Sequence, residues 1–203
     1  VDLDGNPKNN MTITGEAISS EFPQNTSETE TVERVITFEY MGMTASTTIT
    51  QGVWVSQGYT VDLNNQWRLS TSIANPDSGT YEGVYESFSN RGKDSTAAIM
   101  YIDIVGYENF KLYIRSYAES SYDYVMVSQL DQTINNNTSY SSTSLVKSHT
   151  RSNQQSGTAI SNYKLVEFTG IDGDEHRISV MYRKDNSQAS GTDQGYVLIP
   201  KNQ

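Results

Sequence analysis

Residues 95–117 read "STAAIMYIDIVGYENFKLYIRSY", and their period decides the fold class. In the first half, Ala98, Met100, Ile102 and Ile104 share one phase while Tyr101 and Asp103 take the other. In the second half, Phe110, Leu112 and Ile114 alternate with Lys111, Tyr113 and Arg115. Successive side chains of a strand point to opposite faces, so a period of two marks strands with one face on a core. The same alternation recurs in "WRLSTS", "GVYESFS", "YDYVMVSQL", "YKLVEFTGI", "HRISVMYRK" and "GYVLIP". These predict about eight strands from Trp67 to Pro200, spaced as in a sandwich or barrel. "VITFEYMG" and "MTASTTITQ" predict a β-hairpin over 34–51, turning at Gly42. No run has a helical period long enough to build on.

Composition agrees with an all-β chain. Hydrophobic content is only 35%, but there are fourteen tyrosines and much Thr, Val and Ile, which suit a pleated, half-buried surface. The 203 residues allow one large domain or two small ones. A boundary is expected near Gly52, dividing 1–52 from a sandwich over 53–203, with "VWVSQGYTVDLNNQ" as a linker. The first fifty residues carry eight acids, two bases and few apolar positions, too few to bury a core alone. They are expected to pack on another segment or another chain, which a homo-oligomer would supply. "TINNNTSYSSTS" (133–144) and "TRSNQQSGTAISN" (150–162) read as surface loops.

Several functional classes are excluded or disfavoured. A net charge of −10 argues against nucleic acid, whose phosphates must meet clustered Lys and Arg, and against anionic membrane surfaces. No apolar window approaches a membrane span, so no direct membrane insertion is expected. The absence of cysteine excludes disulfides, thiolate metal sites and a cysteine nucleophile. No cofactor is expected. Structural calcium is the one metal left open, by "DLDGN" (2–6) and "DGDE" (172–175), although the latter equally makes a tight turn with Gly173 at positive φ. His149 and His176 lie in no nucleophile-elbow setting, and there is no G-x-S-x-G, so triad chemistry is not expected. Glu82, Glu86, Glu119 and Asp123 could form glycosidase pairs only if folding set the right separation.

The hairpin region carries a family resemblance. "EFPQNTSETETVERVITFEYMGMTASTTITQG" (21–52) resembles the C-terminal part of a BACON-type domain, an immunoglobulin-like module of gut Bacteroidetes surface proteins and their phages. Asn25, Thr26, Ser27, Arg34, Ile36, Thr37, Gly42, Thr48, Ile49, Thr50 and Gln51 supply the pattern. The family's earlier strands, with their usual tryptophan, have no counterpart, so about half a domain is visible. From about Tyr81 to Gln203 the chain resembles C-terminal modules attached to such repeats, through "YIRSYAESSYDY", "HTRSNQQSGTAISNY" and "YRKDNSQASGTDQGYVLIP". The resemblance implies surface display with carbohydrate or mucin binding, or a spacer role, and no catalytic residue.

The candidate site is the stretch "LYIRSYAESSYDYVMVSQLD" (112–131). Arg115, Tyr117, Glu119, Tyr122 and Asp123 would join Arg151 and Asn153 of one polar loop and Arg183 and Asp185 of another. Two readings stand. Arg115 pairs with Glu119 or Asp123 to organise a turn, or the group forms a ligand surface. In the second case tyrosine faces stack on sugar rings while planar polar groups read hydroxyls. The expectation is a partial immunoglobulin-like segment followed by a jelly-roll-like β-sandwich. It would act as a non-catalytic, extracellular or cell-surface binding or adhesion module for a glycan or glycoprotein. The alternative is a structural or decorative component of a phage virion, and a glycoside hydrolase comes third.

Overall fold

The structure is a computed structural model that describes residues 32–40, 43–51, 57–151 and 159–203. The chain divides into two compact units, Val1–Trp54 and Val55–Gln203. In the first, β1 (Val32–Tyr40) and β2 (Met43–Gln51) pair antiparallel, Val32 opposite Gln51 and Tyr40 opposite Met43. This is the hairpin the alternation predicts.

The second unit holds β3 (Gly58–Asp62), β4 (Trp67–Leu69), β5 (Tyr85–Ser87), β6 (Ala97–Val105), β7 (Asn109–Tyr117) and β8 (Tyr124–Ser128). It continues with β9 (Val146–Arg151), β10 (Lys164–Thr169), β11 (His176–Arg183) and β12 (Gln194–Leu198). Among the described residues the helical content is one 3-10 turn, Ile160–Asn162. All pairings are antiparallel and form two five-stranded sheets, β10-β7-β12-β5-β4 and β3-β6-β11-β8-β9. The fold is therefore all-β, as expected. Its last eight strands divide as β10, β7, β12 and β5 against β6, β11, β8 and β9, the two-sheet, Greek-key arrangement of a jelly roll. β4 and β3 each add a strand at one edge.

Two of these strands were not anticipated. Gly58–Asp62 lies in the presumed linker, and Val146–Arg151 runs into a presumed loop. Both are edges of the same sheet. An edge strand needs one neighbour and leaves a row of backbone groups to water, so it carries polar residues and a faint apolar signal.

The core lies between the sheets. Phe110, Leu112, Ile114, Val166, Phe168 and Val197 from one meet Met100, Ile102, Ile104, Val125, Ile178 and Val180 from the other. β6 alternates without a break between buried and half-buried positions. β8 is buried throughout, because Tyr124 and Met126 on its outer face are covered by Ile134, Tyr140 and Leu145 of the following connection. Tyr81, Val84, Tyr163, Tyr196 and Leu198 form a matching cluster on the outer face of the β7 sheet.

The sheets approach closely at Gly195 of β12. A methyl group there would lie 2.8 Å from Tyr182 Cβ, 2.8 Å from Val125 Cγ2 and 3.1 Å from the Trp67 ring. Trp67 and Tyr182 are essentially inaccessible to solvent, so neither ring can withdraw without opening the core. Gly195→Ala is expected to destabilise the unit by about 1–3 kcal/mol, as overpacking does in tight cores. Chemical denaturation of wild type and variant reads this directly, and an unchanged midpoint would show that the contact relaxes freely.

Candidate functional site

Arg115 lies on the outer face of β7, as its phase requires, yet it is only 5% exposed. Its guanidinium carbon sits 5.6 Å from the ring centre of Tyr117, 5.8 Å from Tyr163 and 5.3 Å from Tyr196. The pairing register explains the enclosure. Tyr196 is directly opposite Arg115, Glu86 opposite Tyr196, and Arg68 opposite Glu86. A row of three charged side chains and one tyrosine thus crosses four strands, ending in the Arg68–Glu86 ion pair at 2.7 Å. Aromatic faces are negative and favour an adjacent cation, more so when water is excluded. Burial pushes the Tyr163 phenol up to about 12, against the opposing pull of Arg115.

Arg151 and Arg183 belong to the other sheet's outer face. Arg183 is opposite Tyr124, which is opposite Arg151. Arg183 Nη1 donates to the Tyr124 hydroxyl at 2.5 Å. Arg151 donates to the Tyr140 hydroxyl and lies 4.5 Å over that ring, which packs edge-on against Tyr124. Arg115 and Tyr117 are thus separated from Arg151 and Arg183 by the thickness of both sheets. No single surface gathers all four.

The acidic members stand between strands and hold loops. Asp123 is fully buried and accepts hydrogen bonds from the Asp185 amide at 2.8 Å and the Glu119 amide at 3.2 Å. Burial raises its pKa, with those amides and Lys184 pulling the other way. Ser187 Oγ donates to Glu119 at 2.6 Å and to Asp185 at 2.9 Å. Lys184 is also fully buried, donating to the carbonyls of Ser187 and Gln188 at 2.9 and 3.0 Å. These contacts make Glu119, Asp123 and Asp185 the scaffold of the 185–193 loop. Tyr122 projects freely at 60% exposure. Asn153, the 2–6 stretch and Asn25, Thr26 and Ser27 of the BACON-type pattern lie outside the described residues.

Neither histidine is set up as a base for a nucleophile. His176 is clamped at both nitrogens, Nδ1 to Asp131 at 2.6 Å and Nε2 to Asp172 at 2.8 Å. His149 stacks on Tyr140 with ring centres 4.7 Å apart, and burial lowers its pKa. The 172–175 stretch makes the tight turn expected of it, with Gly173 at φ +85° and the Asp174 amide on Asp172. Among the described residues no group of three or more His, Asp or Glu could hold a metal ion.

A different site emerges at the sandwich edge. A cleft of about 590 Å³ is lined by Tyr59, Val61 and Leu63 around β3, Glu82 and Tyr85 at the start of β5, Tyr107 between β6 and β7, and Lys201 beyond β12. Tyr59 and Tyr107 both meet Phe110 edge-on, with ring centres 5.7 and 5.3 Å away. Burial raises all three phenols, and Tyr59 is pushed up to about 12, with Glu82, Tyr85 and Tyr107 contributing after burial. Among the described residues, none of the three hydroxyls nor the Glu82 carboxylate has a hydrogen-bond partner. Sequence reasoning passed over this site because Tyr59 sat in a presumed linker. The only available signal was the alternation of Tyr59 and Val61 with Thr60 and Asp62.

Comparison with protein-family models yields no match, and comparison with curated proteins yields none. Among the described residues no helix is long and apolar enough to cross a membrane.

The His176 clamp sets a pH dependence. Hydrogen bonds that the ring donates to the carboxylates of Asp131 first and Asp172 second raise the His176 pKa above its ordinary 6.5. A folded-state pKa above the unfolded one adds stability that is full below pH 6.5 and lost as pH rises through the folded value. Urea denaturation should therefore show stability falling as pH rises above 6.5, a slope that His176→Ala removes. A slope unaltered in the variant would assign the effect to other groups.

Proposed function

We propose that the chain is a non-catalytic, surface-displayed binding module whose ligand is a glycan, held in the Tyr59–Tyr85–Tyr107 cleft. One observation carries this reading: three tyrosines converge on one open cleft with phenols and a carboxylate that no described residue satisfies. Sugars present apolar C–H faces to stack on aromatic rings and hydroxyls to bond polar groups, and sites of this kind are concave and mostly apolar with a few polar anchors. Tyrosine suits the task because its rigid ring offers area at small entropic cost. The engaged state of both histidines supports a site without turnover. The resemblance of 21–52 to a BACON-type module supports display at a cell surface or outside the cell. Exposed Tyr122 and partly exposed Tyr117 remain as secondary contacts, whereas Arg115, Asp123 and Asp185 serve the fold.

A glycan array probed with the full chain tests this reading. Binding should be found and should fall roughly tenfold in Tyr59→Ala, the loss of one stacking ring, measured at a temperature where melting curves show the variant folded, since Tyr59 also packs on Phe110. Hydrolysis of any bound glycan, or an array silent at high protein concentration, would refute it.

The β1–β2 hairpin favours a second reading, in which the chain is a structural or decorative component of a virion. Val35 is 63% exposed on it, and exposed apolar strands invite pairing with another chain. Under that reading sedimentation should show concentration-dependent association that Val35→Lys abolishes, and a monomer at every concentration would exclude it.

A further inference from the structure

A narrower ligand class follows from the charges around the cleft, provided the glycan reading holds. Two charged side chains line it, Glu82 and Lys201. The Lys201 ammonium is already engaged, donating to the Ser78 carbonyl at 2.9 Å and helping to lower the Asp77 pKa. Glu82 is an exposed residue that lines the cleft beside Tyr59 and Tyr85, and its charge acts on the phenols of both. The ring faces themselves carry negative potential, and the chain's net charge of −10 adds a field of the same sign.

Such a cleft discriminates by charge. A uronic or sialic acid brings a carboxylate toward Glu82 and the aromatic faces and is repelled. A neutral sugar finds stacking and hydroxyl partners but leaves Glu82 without a counter-charge. A protonated amine on the sugar ring satisfies everything present: it donates to Glu82 and to phenolic oxygens and lies against electron-rich rings. We infer that the cleft selects amino sugars in their free, protonated form, with the ammonium on Glu82 and the sugar ring against Tyr59.

Three β-1,4-linked tetrasaccharides that differ only at C2 isolate the point: the glucosamine tetramer, its N-acetylated counterpart and the glucose tetramer. Calorimetric titration of the full chain is run at low salt and pH about 5.5, where the sugar amine is protonated. The glucosamine tetramer should bind about two- to fivefold tighter than the other two, as an added exposed ion pair allows. The advantage should shrink as salt is raised, because the pair is screened. It should vanish in Glu82→Gln and persist in Glu167→Gln, an exposed acid outside the cleft. Glu82 is exposed, so the variant should retain the wild-type melting curve, and Tyr59→Phe, which keeps the ring and removes one phenolic acceptor, gives a second probe of the same space. Equal binding of all three tetramers would overturn the amine preference and leave the glycan reading standing. An advantage that survives Glu82→Gln would overturn the assignment to this cleft. Silence toward all three overturns the inference, and a positive array would then send the glycan to another surface.

Discussion

The two sheets of the larger unit pack so tightly at position 195 that a side chain there would overlap its neighbours. Gly195 sits in a central strand where Trp67, Val125 and Tyr182 converge, and its amide is held by Ser87 Oγ at 3.0 Å. A glycine inside a strand ordinarily weakens it, so its presence marks a site where close approach outweighs that loss. With the rings of Trp67 and Tyr182 seated there, the inner faces interdigitate along their length, and everything outside the core is arranged on the faces and edges of that sandwich.

The outer faces show how charge is accommodated once the core is fixed. Arg115 and Lys184 are both buried, and the protein meets their demands differently. Arg115 is surrounded by tyrosine rings, which stabilise a delocalised cation through their negative faces. Lys184, a compact ammonium, is held by backbone carbonyls, with the carboxylates of Asp185 and Asp94 3.9 and 4.0 Å away. Leaving either cation without compensation would be strongly unfavourable. A stretch that looks like a ligand surface in sequence is therefore largely committed to holding strands and loops together.

On the proposed reading the binding site lies at the sandwich edge, where β3 adds a short strand beside β6 and Tyr59 and Tyr107 line one cleft. The last strand's exit supplies Lys201, and the lead into β5 supplies Glu82. Four segments distant in sequence thus contribute to one cleft, the usual situation for loops and edges on a rigid scaffold. Because its walls are anchored on Phe110 of the core, the cleft is preformed, which reduces the ordering needed on binding.

The sequence by itself determined the all-β class, the hairpin over 34–51 and the inward phases of β6 and β7. Each depends on an alternation that a local run of residues reveals, because a strand buried on one face must repeat with period two. The positive-φ role of Gly173 and the turn around it were legible for the same local reason. Tertiary structure alone decided the rest. β3 and β9 are edges whose polar residues carry little periodic signal, and β6 and β7, adjacent in the chain, lie in different sheets. That crossing puts Arg115 and Arg183 on opposite outer faces, although both are outward on strands and flanked by tyrosines. It also brings Tyr59, Tyr85 and Tyr107 together from three separate segments. Side-chain phase is written in neighbouring residues, whereas the pairing of distant strands depends on which faces bury best together, and no local stretch of chain records that.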